Sequence, residues 1–293
     1  MERAAIRTEA LTKYYGKNRG IIDVTLRVEE GDFFGFIGPN GAGKSTTIRT
    51  LLGLIFATSG KAEVFGKDIV RDKISILADT GYLPGEASFY NNMKVGDMIS
   101  YASRLRGVDC RAEAETLCRR LELDTSRKIG ELSLGNRKKL GIVIALQHRP
   151  KLYILDEPTS GLDPLMQQEF FSIMEERNRE GATVFLSSHI LGEVSRYCRH
   201  AAVIREGRLT VCDSVENLAH TGVKYVTLQG VDRTPSFENI SDLAQEGNLT
   251  RFLYRGDANT LIKELSGYTF SDVAVRDPDL DEVFRHFYEG EEK

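Results

Sequence analysis

The chain has 293 residues, of which 41% are apolar and 28% charged, and its 39 Lys and Arg against 43 Asp and Glu leave a net charge of −4. That length allows about two domains and a sizeable core, and the slight acidic excess speaks against a dedicated nucleic-acid binder. No apolar run approaches the roughly 20 residues that span a bilayer, and "MERAAIRTEA" lacks the apolar stretch of a secretory signal.

In chain order, "DVTLRVEEGD" alternates Val24, Leu26 and Val28 and predicts one half-buried strand. "DFFGFIG" is a short apolar run ending in glycine, as in a central strand, and "KSTTIRTLLGLI" reads as the helix after it. Between them lies "GPNGAGKST", formed by Gly38, Pro39, Asn40, Gly41, Ala42, Gly43, Lys44, Ser45 and Thr46. This is the G-x-x-x-x-G-K-S/T pattern in its proper strand–loop–helix setting. Glycines let successive backbone N–H groups curl inward, and the helix N-terminus adds positive charge, so the loop suits phosphates. Lys44 is placed to reach the β- and γ-phosphates, and the Ser45 hydroxyl to meet Mg²⁺.

"ILADTGYLP" is read as the next strand, and about 86–146 as an inserted helical subdomain, because "VGDMISYASRLRG" and "RAEAETLCRRLEL" carry apolar residues at helical spacing. "KLYILDE" is a strand ending in two carboxylates. In a phosphate-loop protein the first, Asp156, holds Mg²⁺ and the second, Glu157, takes a proton from the attacking water. "ATVFLSS" is a further strand, and "HAAVIREGRL" reads as a hairpin turning at Glu206-Gly207. After about Thr221 come strands in "VKYVTLQGV", "RFLYRG" and "YTFSDVAVRD", with helices in "DANTLIKELS" and "DLDEVFRHFYE". Cys110, Cys118, Cys198 and Cys212 have no C-x-x-C spacing, so they read as reduced structural thiols.

Together these motifs resemble the nucleotide-binding subunit of an ABC transporter, with the family's features in its order from residue 6 to about 212. "LTKYYG" is similar to the adenine-contacting loop, with Tyr15 as the stacking aromatic. "LSLGN" resembles the signature turn, in which Ser133, Gly135 and Asn136 contact the ATP of a second subunit. Ser133 also suits a helix N-cap, which is compatible with that role. "SGLDP" resembles the loop that carries Asp163 to the dimer interface, and "FLSSH" puts His189 at the γ-phosphate-sensing position. Two departures stand out. The family usually writes LSGGQ, whereas Leu134 and Asn136 stand here. It also commonly has a glutamine after "GYLP", where this chain has Gly85 and then Glu86. Gly85 has no side chain to supply, so that role is not transferred.

The resemblance implies an α/β P-loop NTPase core of ABC type (1–220) with an antiparallel β subdomain and the inserted helices, plus a small C-terminal α+β domain (221–293). It implies ATP and Mg²⁺ as cofactors, catalysis by Glu157, His189 and Lys44, and Mg²⁺ on Ser45 and Asp156. It also implies a homodimer, a separately encoded transmembrane permease, and a cytoplasmic place at the inner face of the membrane. "DPDLDEVFRHFYE" resembles the closing segment of two-component export ATPases. Two readings stay open beside it: a soluble ABC ATPase acting on nucleic acid or ribosomes, and a slow-hydrolysing regulatory subunit.

Overall fold

The computed structural model describes residues 3–219 and 223–277. The chain divides into two compact units, Met1–Asp213 and Ser214–Lys293.

The centre of the first unit is a six-stranded sheet in the order Arg208–Ser214, His200–Arg205, Phe33–Ile37, Thr183–Ser188, Leu152–Asp156 and Thr80–Leu83. The last five run parallel. Strands covered on both faces must be apolar throughout rather than alternating. "FFGFI", "LYILD" and "TVFLSS" are accordingly buried at every position. The parallel register carries the ends of Phe33–Ile37, Leu152–Asp156 and Thr183–Ser188 to one edge. In open α/β sheets, ligands bind outside such strand ends.

A second, antiparallel sheet is organised by the long strand Ala4–Tyr15, which pairs with Asn18–Val24, Arg27–Glu29 and Ser59–Val64. Ile6, Leu11 and Ile21 from this sheet share a core with Phe34, Phe36, Ile154 and Phe185 of the parallel sheet, and with Ile48 and Leu51 of the helix Lys44–Leu51.

"DVTLRVEEGD" is not one strand. The chain breaks between Val24 and Arg27, where its pairing passes from the second half of Ala4–Tyr15 to the first, and there the Thr8 hydroxyl donates to the Val24 carbonyl and accepts from the Leu26 N–H beside the backbone bonds that join Thr8 and Leu26. "ILADTGYLP" is also divided. Ile76–Ala78 close the helix Lys73–Ala78, and only Thr80–Leu83 form a strand. A short apolar run fits either period, and Ile76 is buried from the helix instead. "KSTTIRTLLGLI" stops as a helix at Leu51. Glu206 and Gly207 both take positive φ (51° and 77°), the backbone of a tight two-residue hairpin turn.

From Val95 to Leu146 the chain forms the helices Val95–Arg106, Arg111–Arg120 and Leu134–Leu146. The last is buried on nearly all sides, including Lys138 and Lys139. A sixteen-residue helix, Pro164–Arg179, starts with proline at its first position and Asp163 as its cap.

The second unit is a four-stranded antiparallel sheet in the order Ile240–Glu246, Leu249–Arg255, Val223–Gln229, Asp272–Arg276, with the helix Ala258–Leu265. Val226, Leu228, Phe252, Tyr254, Leu261 and Leu265 make its core. The edge strand Ile240–Glu246 escaped the sequence reading because its residues are mostly polar and exposed. The helix expected over "DLDEVFRHFYE" lies outside the described residues.

Candidate functional site

The site is built at the edge where the parallel strands end. The loop after Phe33–Ile37 turns through Gly43, whose φ of 114° suits glycine alone, and a Cβ there would lie 2.9 Å from Ile21 Cγ2 and 3.0 Å from the Gly20 carbonyl. The turn delivers Lys44 and Ser45 as the first residues of the helix Lys44–Leu51. Lys44 is 5% exposed and folds back over the loop. Its ammonium donates to the carbonyls of Gly38 (2.6 Å) and Pro39 (3.2 Å) and lies 3.5 Å from Glu157 Oε1.

Asp156 and Glu157 end the strand Leu152–Asp156 in different environments. The Asp156 carboxylate is buried, and its two oxygens accept from the Ser45 hydroxyl (2.7 Å) and the Ser187 hydroxyl (3.0 Å). No Lys, Arg or His lies within 4.0 Å of it among the described residues. Glu157 takes the left-handed backbone at φ 47°, with its N–H donating to the Ser187 carbonyl. A non-glycine residue in that region stores backbone strain, which tends to gather at functional sites. Its carboxylate is partly exposed and meets both Lys44 and the Nδ1 of His189, the latter at 3.2 Å.

Phosphate loop, carboxylate pair and His189 therefore converge. A cavity of about 170 Å³ opens among them, lined by Pro39, Asn40, Gly41, Gly43, Lys44, Ser45, Thr46 and Glu157, together with Arg19 and Gly20. Larger cavities of about 580 and 750 Å³ lie away from this chemistry, so size does not locate the site. Tyr15 stands just outside the cavity. Its half-exposed ring has Cε2 3.1 Å from where a Cβ of Gly20 would be, and the Lys13 ammonium lies 5.4 Å from the ring centroid.

The remaining expected residues are elsewhere. Ser133 is exposed and caps the helix Leu134–Leu146, its hydroxyl accepting from the Asn136 N–H at 3.3 Å. Leu134 is 73% exposed, and Gly135 packs so close to Gly161 that a Cβ would lie 2.8 Å from its carbonyl. Among the described residues, no hydrogen bond joins Ser133, Gly135 or Asn136 to the phosphate loop. Asp163 is exposed and accepts from the N–H groups of Leu165 and Met166. Glu86 is exposed, while the Gly85 carbonyl accepts from the Lys138 ammonium at 2.9 Å.

Four residues escaped the sequence reading. Arg19 lines the cavity from the antiparallel sheet, a contact that only the tertiary fold brings about. Ser187 was legible as a hydroxyl at a strand end, but its bond to Asp156 was not. Glu193, 8% exposed, accepts from Thr159 (2.6 Å) and Ser188 (2.7 Å), and so ties the loop after Glu157 to the turn holding His189. Lys138 is the fourth.

Residues 21–160 match the family model described as "ABC transporter". The chain is 38% identical over 234 residues to the bacitracin transport ATP-binding protein BcrA of Bacillus licheniformis, covering 78% of this chain and 76% of that one. It belongs to the ABC transporter family. The lantibiotic transport ATP-binding protein SrtF of Streptococcus pyogenes is 36% identical, with 73% of this chain and 93% of that one covered. A solved structure described as the ATP binding subunit of an ABC transporter is 30% identical, with a TM-score of 0.69 over 73% of this chain and 91% of the other. This family member is thus the ATP-binding and ATP-hydrolysing subunit of a transport system. Among the described residues, no helix is long and apolar enough to cross a membrane.

Proposed function

We propose that the cavity beside Lys44 and Glu157 holds the phosphates of ATP, and that this chain's own carboxylates hydrolyse the nucleotide with a second copy completing the site. The observation that carries the reading is the convergence of Lys44, Ser45, Asp156, Glu157 and His189 at one sheet edge. The donor set fits Mg²⁺. Asp156 is a buried carboxylate whose hydrogen-bond partners are two hydroxyls, and Ser45 and Asp156 offer the hard oxygens that this ion takes. Bound there, Mg²⁺ would draw negative charge from the phosphates.

The chain's own groups do the rest. Lys44 exchanges the Gly38 and Pro39 carbonyls for phosphate oxygens, because an ammonium prefers a charged acceptor. That frees Glu157 from its ion pair and leaves its carboxylate to accept the proton of the attacking water. His189, whose Nδ1 lies 3.2 Å from Glu157 Oε1, fixes the orientation of that carboxylate. Tyr15 offers an aromatic face for adenine.

Ser133, Gly135 and Asn136 serve the nucleotide of the partner. The exposure of Ser133 and the lack of hydrogen bonds from all three to this chain's phosphate loop support that role, as does the capped helix N-terminus, which is an anion site. Asp163 belongs to the same interface. We further propose that a homodimer docks on a separately encoded membrane permease at the inner face of the membrane and works in the export direction. The relatives named for bacitracin and lantibiotic transport support a cargo of that class.

The test is turnover. Glu157→Gln should lower hydrolysis by about 10²–10⁴-fold, the usual contribution of a general base, and leave ATP binding intact. Hydrolysis by Glu157→Gln at the wild-type rate would remove Glu157 from the mechanism.

A further inference from the structure

Lys138 lies one turn into the helix Leu134–Leu146 and is 5% exposed. Its side chain has one hydrogen bond among the described residues, to the Gly85 carbonyl at 2.9 Å. Gly141, three residues on and therefore on the same helix face, packs against Leu83 and Ala87. This face thus lies along the segment that follows the strand Thr80–Leu83.

A buried ammonium with one neutral acceptor is costly unless negative charge is close. Burial pulls the Lys138 pKa down, and the negative charges of Asp156 and Glu157 oppose that pull. The segment held by Lys138 also abuts Asp156 directly. A Cβ on Gly85 would sit 3.8 Å from Asp156 Oδ2 and 3.7 Å from its backbone oxygen. Those are ordinary van der Waals distances, so glycine is not required there by crowding. What this position leaves out as a side chain, the helix supplies from behind as a cation.

We propose that Lys138 is a positioning residue for hydrolysis: it pins the Gly85 carbonyl and sets a fixed positive charge behind the Asp156–Glu157 pair. The proposal rests on the reading of that pair as catalytic. It also joins the two half-sites within one chain. The helix whose first turn presents Ser133 to the partner's nucleotide carries, one turn later, the cation that orients this chain's own carboxylates.

The experiment measures kcat, KM for ATP and thermal stability on the purified full chain, for Lys138→Met, Lys138→Gln, Lys138→Arg and Glu157→Gln in parallel. A cation acting through space on the reacting pair predicts about tenfold or greater loss of kcat in Lys138→Met, with KM within about twofold of wild type. Lys138→Gln keeps a donor for the Gly85 carbonyl without the charge and should stay near Lys138→Met. Lys138→Arg, which keeps the charge, should recover most of the rate. Should Lys138→Met fail to fold, the contrast between the Gln and Arg variants decides. Wild-type kcat in Lys138→Gln, or a loss of melting temperature alone, overturns the proposal while Glu157→Gln is inactive. An active Glu157→Gln would instead overturn the carboxylate assignment beneath it.

Discussion

Thr159 follows the strand Leu152–Asp156 and Ser188 ends the strand Thr183–Ser188, and both hydroxyls donate to Glu193. Removing that carboxylate leaves two buried donors unsatisfied, a loss of about 2–4 kcal/mol. It also frees the loop after Glu157 from the turn that carries His189. Glu193→Ala is therefore expected to lower both the melting temperature and kcat. Glu193→Gln, which keeps one acceptor, should lose less of each, as stopped-assay kinetics and thermal denaturation would show. The same residue shows what the sequence conceals. Lys44, Ser45, Asp156 and Glu157 were legible because a phosphate loop and a strand-end acid pair are defined by local order. Glu193, Arg19 and Lys138 act through contacts between segments far apart in the chain, and no local pattern records those. Gly85 was legible as a departure, whereas the ammonium placed behind it was not.

Among the elements, the parallel strands were the most readable, since burial on both faces forces an unbroken apolar run. The misread elements lie where pairing passes from one half of a long strand to the other, as beside Thr8, or where a helix and a strand share one apolar run, as at Ile76–Leu83. The joint between the helical segment and the sheet can be tested by pH. The Thr80 carbonyl accepts from Arg106, at the end of Val95–Arg106, and from His148, just after Leu134–Leu146. Burial, reinforced by the Arg106 charge, pushes the His148 pKa down to about 4 from an ordinary 6.5. Between those values the unfolded chain holds a proton that the folded chain does not, so stability rises with pH across that window. His148 thus imposes no penalty above about pH 6.5 and a growing one as the pH falls toward 4. Urea unfolding at pH 7 and pH 5 should show that loss, and His148→Gln should show less of it. Equal losses in both proteins would mean that other groups set the acid sensitivity.

At the scale of the whole molecule, the first unit holds every residue assigned to ATP, while the second has its own core around Phe252 and Tyr254. The alternation of strands and helices made the α/β class of the first unit readable. Ser133, Gly135 and Asn136 belong to the same chain as Lys44, yet no hydrogen bond joins them to its loop among the described residues. In the dimer proposed above, each phosphate loop pairs with the Ser133 turn of a second copy. The most direct test uses Glu157→Gln to stall hydrolysis and measures molar mass by light scattering with and without ATP. With ATP the account predicts a dimer, about twice the 32.8 kDa chain. Adding Ser133→Arg should return the protein to monomer while it still binds ATP. A doubly substituted protein that dimerises on ATP as readily as the single variant would contradict the shared site.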